Sequence, residues 1–138
     1  MSDQYFKGLL NSRGLKATGH RLKLLVSMEA YTSAMPYSTI QESMKSIDRV
    51  TLYRTLETLI NQGIIHQALR ENNEVYYAIC GKKCSENNHH HDHIHFKCTG
   101  CNSVTCHELS NNIKISIPDC EIHNVSIHVK GICKSCRI

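Results

Sequence analysis

Apolar residues in the first half of the chain recur every three or four positions, the period of amphipathic helices. Residues 4–13 read as a first helix that Gly14 ends. Thr18 can cap a second helix reaching Tyr31, with Leu22, Leu25, Val26 and Met28 on its inner side. Pro36 and Ser38 open a short third helix over residues 39–45, with Ile40 and Met44 turned inward. Asp48 stands at the N-cap position of a fourth helix, residues 49–61, which Gly63 stops. Leu52, Leu56, Leu59 and Ile60 share one face of it, and Thr51, Arg54 and Thr58 the opposite one. Two strands follow, residues 64–70 and 74–79, joined by Glu71-Asn72-Asn73, a composition suited to a tight hairpin turn. Helices closed by a hairpin in this order describe a winged helix-turn-helix.

Composition then splits the chain. Residues 1–79 hold no cysteine and only His20 and His66 of the 10 histidines; all 8 cysteines follow. The asymmetry implies two functional halves, 1–80 and 81–138, with a boundary near Gly81-Lys82-Lys83. Two Cys-x-x-Cys pairs, Cys98-Thr99-Gly100-Cys101 and Cys133-Lys134-Ser135-Cys136, bracket the last third. A structural zinc ion takes four soft ligands in a tetrahedron, and two such pairs supply them. The alternative, a redox dithiol, lacks a thioredoxin-like strand–helix context. Structural zinc contributes on the order of 10 kcal/mol to small modules, against total domain stabilities of about 5–15 kcal/mol.

No apolar run is long enough for a membrane span, and no signal-peptide core is visible at the N-terminus. The cysteines therefore read as metal ligands in a reducing cytoplasm, in preference to secreted disulfides. A formal net charge of +4 permits nucleic-acid binding without arguing for it. The stronger pointer is the start of the fourth helix, which offers Thr51, Tyr53, Arg54 and Thr55. Arginine pairs with a guanine edge or a phosphate, and tyrosine or threonine touches a thymine methyl.

The segments Gly14-Leu-Lys-Ala-Thr-Gly-His-Arg21, Asp48-Arg-Val-Thr-Leu-Tyr-Arg-Thr-Leu56, His91-Asp-His-Ile-His-Phe-Lys-Cys-Thr-Gly-Cys101 and the final Cys-x-x-Cys resemble the ferric uptake regulator family, and its zinc-sensing branch most. That family comprises bacterial dimeric repressors that bind DNA when loaded with Fe²⁺, Zn²⁺, Mn²⁺ or Ni²⁺; one branch senses peroxide. The resemblance implies an α+β chain: a winged-helix domain, a hinge and a small α/β dimerisation domain. It implies DNA contacts from Lys16, Thr51, Tyr53 and Arg54, and a structural zinc on Cys98, Cys101, Cys133 and Cys136.

A second, sensory site is expected on the histidine strand. Alternation sends His93 and His95 to one side and turns Ile94 and Phe96 towards the core. In zinc-sensing relatives a hinge ligand and a cysteine fourteen residues later join two such histidines, and His66 and Cys80 have that separation. A thiolate with three imidazoles suits Zn²⁺, whereas Fe²⁺ or Mn²⁺ would favour carboxylates. Cys84, His89, His90, His91 and Asp92 form a loop longer than the family usually carries: substitute ligands, a metal-capturing antenna or solvated residues. Ile94 interrupts the family's additional site. Pro118, soon after Glu108, leaves room for only a short helix. His107, His123 and His128 have no assigned role, and Cys106 and Cys120 are expected to be buried as small apolar residues.

The reading is a cytoplasmic, homodimeric, zinc-responsive repressor of a palindromic DNA operator, without enzymatic activity, small-molecule substrate or membrane partner. An iron- or peroxide-responsive regulator is the alternative within the family. A zinc-buffering or metal-delivery protein is the alternative of another class. No His-Glu-x-x-His motif supports a zinc hydrolase.

Overall fold

The computed structural model describes residues 2–31, 33–80, 93–108, 114–123, 125 and 127–137, with the side chains of Ser2, His93 and Glu108 outside that description. The expected domain boundary and the Cys84–Asp92 loop therefore lie outside the described residues.

Four helices come first: α1 (Ser2–Ser12), α2 (Gly19–Tyr31), α3 (Tyr37–Ser43) and α4 (Arg49–Asn61). The local signals act as expected. Thr18 precedes α2, and its hydroxyl accepts the Arg21 amide at 3.4 Å. Gly14 and Gly63 take the left-handed conformation, φ +73° and +70°. Beyond them the chain doubles back: the Leu15 amide reaches the Leu10 carbonyl and the Ile64 amide the Leu59 carbonyl, each at 2.9 Å. These are glycine-terminated helix ends, where a Cβ would be strained. Arg13 donates to the Gln62 carbonyl and fastens α1 to the end of α4.

The helices enclose one core of Phe6, Leu10, Leu24, Leu25, Met28, Ile40, Met44, Leu52, Leu56 and Leu59. Leu22 and Val26, expected to be buried, only flank it, and Leu24 takes an inner place instead.

The wing is the hairpin of β2 (Ile65–Glu71) and β3 (Glu74–Ile79), to which the two-residue β1 (Met35–Pro36) adds an edge. Asn72 and Asn73 both have positive φ, 54° and 64°, as a tight hairpin turn requires. The wing is covered on both faces. Ile65, Val75, Tyr77 and Ile79 pack on the helical core. A register shift between Gln67 and Leu69 puts Ala68 and Leu69 together on the other face, where Ala34, Tyr76, Ala78 and Val104 complete a second cluster.

Val104 belongs to a second sheet of order β5-β4-β6, made by β4 (His93–Cys98), β5 (Val104–Glu108) and β6 (His128–Gly131). β4 and β5 are antiparallel, and β4 and β6 are parallel. Among the described residues this half contributes strands only. The halves are joined directly, since the Ala34 amide reaches the Val104 carbonyl at 2.6 Å. Lys97 and Lys130 each lie 3.2 Å from the Glu71 carboxylate at the end of β2. Lys97 also sits over the Tyr76 ring, 5.8 Å from its centroid.

This junction overturns one expectation. The face of β4 carrying His95 and Lys97 is the one covered by the wing, while Ile94 and Phe96 lie on the other face and are only half-buried. Val129, level with Phe96, is exposed. Alternation gave the two sides correctly, but which side faces inward depends on what the rest of the chain packs there.

Candidate metal centres and nucleic-acid face

The two Cys-x-x-Cys pairs converge. The sulfurs of Cys98, Cys101, Cys133 and Cys136 all lie within 4.8 Å of one another. Strand pairing causes this: parallel β4 and β6 set Cys98 beside Gly131, two residues before the second pair begins. Each pair sits in a tight turn. The Asn102 amide reaches the Cys98 carbonyl at 2.8 Å with Asn102 at φ 64°, and the Arg137 amide reaches the Cys133 carbonyl at 2.9 Å. The amides of Gly100 and Cys133 each donate to the Cys98 sulfur at 3.3 Å.

Those donors favour a thiolate. Backbone amides, that of Cys133 foremost, bring the Cys98 thiol down to about 6. Ser103, whose hydroxyl lies 3.2 Å from its sulfur, lowers that of Cys101. Cys136 goes the other way, to about 12, because its thiol keeps its proton for hydrogen bonds to the sulfurs of Cys133, Cys98 and Cys101. Four sulfurs aimed at one point cannot all ionise unless a cation lies between them. The donor set and the amide-to-sulfur bonds thus fit a closed Zn²⁺ site. Gly100 lines its wall, where a Cβ would stand 3.1 Å from both Cβ and Sγ of Cys136.

A second group of donors spans the junction of the halves. His66 of β2, His95 of β4 and Cys106 of β5 have ligand atoms within 4.8 Å of one another. His66 and His95 are buried, their ring centroids 5.7 Å apart. The Cys106 sulfur lies 3.7 Å from His66 Nε2, and Cys80 places its sulfur 3.4 Å from Nδ1 of the same ring. The cluster thus joins His66 and His95, two of the three expected donors with described side chains, and leaves the third, Cys80, against the far nitrogen of His66. His93 shares the strand, and its side chain lies outside the described residues.

Cys106 is the donor that sequence reasoning missed. It was expected to be a buried apolar residue. The residue is exposed, yet its sulfur is turned to His66, and burial on that side pushes its thiol up to about 11. It stands directly opposite His95 in the ladder. Only the pairing of β5 with β4 carries that signal. Cys120, expected to be buried as well, is exposed beyond the turn at Pro118 and Asp119. Among the described residues no carboxylate belongs to either group, and soft sulfur with borderline imidazole suits Zn²⁺.

On α4, Tyr53 is 61 % exposed and Arg54 is exposed, whereas Thr51 is half-buried. Lys16 is exposed ahead of α2, its carbonyl taking the Arg21 guanidinium at 2.9 Å. Thr55 does not belong to this face: it is buried, and its hydroxyl is satisfied by the Thr51 carbonyl at 2.8 Å. Arg49 and Val50, exposed in the first turn, take its place. Asp48 is at the N-cap without a closed cap bond, and Thr51 beside it holds its carboxyl below the usual range. No helix among the described residues is long and apolar enough to cross a membrane.

The family model described as the ferric uptake regulator family matches residues 12–133. A ferric uptake regulation protein of Staphylococcus aureus is 30 % identical over 135 residues, covering 94 % of this chain and 93 % of its own length. Among solved structures, holo XcZur superposes with a TM-score of 0.69 at 18 % identity, covering 97 % of this chain and 95 % of its own. A zinc uptake regulator complexed with zinc and DNA gives 0.65 at 21 % identity, covering 99 % and 95 %. At these identities the structural likeness speaks for the fold.

Proposed function

The chain belongs to the ferric uptake regulator family, and on that premise we propose that it is a zinc-responsive transcriptional repressor, cytoplasmic and homodimeric, that binds a palindromic operator. One observation carries the reading: the second donor group takes His66 from the wing and His95 and Cys106 from the other sheet. Ligation at this group therefore requires the two halves to be closed on each other.

When bound there, Zn²⁺ supplies a closed-shell Lewis-acid centre that joins donors of both halves through bonds of about 2 Å. His66, His95 and Cys106 already converge. The fourth donor is His93, from the same strand, or Cys80, which joins after rotation of the His66 ring. Cys98, Cys101, Cys133 and Cys136 hold the structural zinc that shapes the end of the second sheet. The closed arrangement is one member of a two-state equilibrium, and the metal shifts that equilibrium by its preference for the closed state.

With the wing fixed, α4 keeps a constant position relative to the second half. In a dimer of second halves the two α4 helices then hold a fixed separation and meet successive half-sites together. Tyr53 and Arg54 read base edges, Thr51 supports them at the first turn, and Lys16 reaches a phosphate or the minor groove.

The deciding experiment selects duplexes from a random pool with the purified protein, then titrates binding against buffered free Zn²⁺ and Fe²⁺. Retention that rises with Zn²⁺ is expected. Retention that responds to Fe²⁺ alone would make it an iron-responsive regulator, and none with either metal a zinc-buffering protein.

A further inference from the structure

His95 sits at the centre of a row of donors that crosses the second sheet. Cys106 of β5 is level with it on one side and His128 of β6 on the other. The rings of His95 and His128 stand 5.6 Å apart between centroids and are tilted by 36°. This nearly repeats the relation of His95 to His66, 5.7 Å and 37°. Two imidazoles on one tetrahedral zinc, each about 2 Å from it through nitrogen, have centroids about 5 Å apart. His95 is therefore within sharing distance of a histidine on either side. The two neighbours differ in access, because His66 is buried and His128 is exposed. Lys130, two residues on and on the same side of β6, reaches Glu71 of the wing, so this side of β6 borders the junction.

We propose that His128 is a further zinc ligand of the second site, an outer one that captures the ion from solution together with His95 and passes it to the inner donors. The proposal rests on the reading of His66, His95 and Cys106 as a zinc site. Its physical basis is the cost of filling a buried cage: an ion leaving water needs each departing water replaced in turn. Zinc has no electronic preference for one geometry and tolerates a fifth ligand, so an incoming donor can bind before another leaves. His128 gives the ion an imidazole at the rim, and His95 belongs to both positions. As the ion moves inward, His128 withdraws its lone pair and Cys106 supplies a sulfur in its place, its thiol proton passing to solvent. No electrons change hands.

The test uses the full chain with its structural zinc in place and Co²⁺ as the probe. Stopped-flow absorbance follows thiolate-to-cobalt charge transfer at the second site, and a chelator then follows release. In the variant His128→Gln, uptake and release should both slow about tenfold, the scale on which removing one group from a metal site acts, with the final spectrum retained. His107→Gln is the control, since His107 lies on the opposite face of the sheet beside Thr105. Unchanged rates in His128→Gln overturn the proposal. So does weakened equilibrium binding with an unchanged uptake rate, which would make His128 a permanent ligand and not a rim ligand. A wild-type protein that takes up no cobalt beyond the cysteine cage would instead bring down the zinc-site reading itself, and this inference with it.

Discussion

Glu71, where the wing turns, lies 3.2 Å from the amine of Lys97, and both side chains are largely shielded from solvent. Lys130 approaches the same carboxylate oxygen at 3.2 Å. This contact links the halves at the far end of the wing from His66, and it does so without metal. Together with Ala34, Ala68, Leu69 and Val104 it preorganises the closed arrangement that the donors of the second site require.

Glu71→Gln should therefore raise the free Zn²⁺ concentration needed for half-maximal DNA binding, while leaving the structural zinc and the fold intact. The check is a DNA-binding titration in zinc buffers at two ionic strengths. Wild type should lose more of its advantage at high salt, because the Lys130 amine remains largely exposed and is screened. The pH dependence has a defined sign. Lys130 and Lys97 hold the Glu71 carboxyl below its ordinary 4.5, so the contact is complete above that value. It is lost as pH falls through the lowered folded value.

Gly100→Ala should weaken the structural zinc site. Its methyl group would stand 3.1 Å from Cys136 Sγ, so the second cysteine turn must shift. Overpacking of this kind costs about 1–3 kcal/mol. Zinc loss to a chelator should be faster than in wild type, and Cys98→Ser should lose the ion outright. Gly8→Ala, in α1 with nothing within 4 Å of the added carbon, should instead stabilise the protein by about 0.5–1 kcal/mol. Equal zinc retention in Gly100→Ala and wild type would show that the cage is looser than its glycine wall implies.

Cys80→Ser and Cys106→Ser separate the two sulfurs that flank His66. Loss of cobalt charge transfer from the second site in Cys106→Ser is expected, with His66→Ala removing zinc-dependent DNA binding altogether. If Cys80→Ser alone loses the signal, the His66 ring turns on ligation and Cys80 is the thiolate. Retention of the band in both variants would remove sulfur from the sensory set.

For DNA, Arg54→Ala should weaken operator binding and Tyr53→Ala should relax sequence preference, each base contact being worth about 1–3 kcal/mol. Lys16→Ala should weaken all sequences alike and flatten the salt dependence. Operator affinity unchanged in both Tyr53→Ala and Arg54→Ala would mean that α4 is not the reader.

The parts of this protein legible in its sequence are those fixed by neighbours along the chain. Gly14, Thr18, Gly63 and the Asn72-Asn73 turn each act through backbone conformation within a few residues, and each was readable. The clustering of Cys98 with Cys101 and of Cys133 with Cys136 was readable because a two-residue spacer by itself brings paired sulfurs together. What could not be read depends on partners distant in sequence. The burial of Thr55 follows from the packing of α4, and the place of Cys106 beside His66 follows from the register that sets it opposite His95. The inward turn of His95 in place of Ile94 depends on which face of the second sheet the wing covers. Alternation fixes two faces and is silent on which one meets the rest of the molecule.

The cysteine cage closes a span of thirty-two residues between Cys101 and Cys133, and this has a consequence for biosynthesis. A chain leaving the ribosome can complete the helices and the wing from contacts nearer in sequence, while Cys98 and Cys101 wait for their partners. During that interval the first pair would offer a cation two sulfurs only. If the cage takes zinc as proposed, zinc supply at the time of synthesis would govern how many new chains mature, separately from the supply later sensed by finished molecules. On that reading a cell that runs short of zinc would dilute its stock of this protein with each generation, even where the older copies remain loaded.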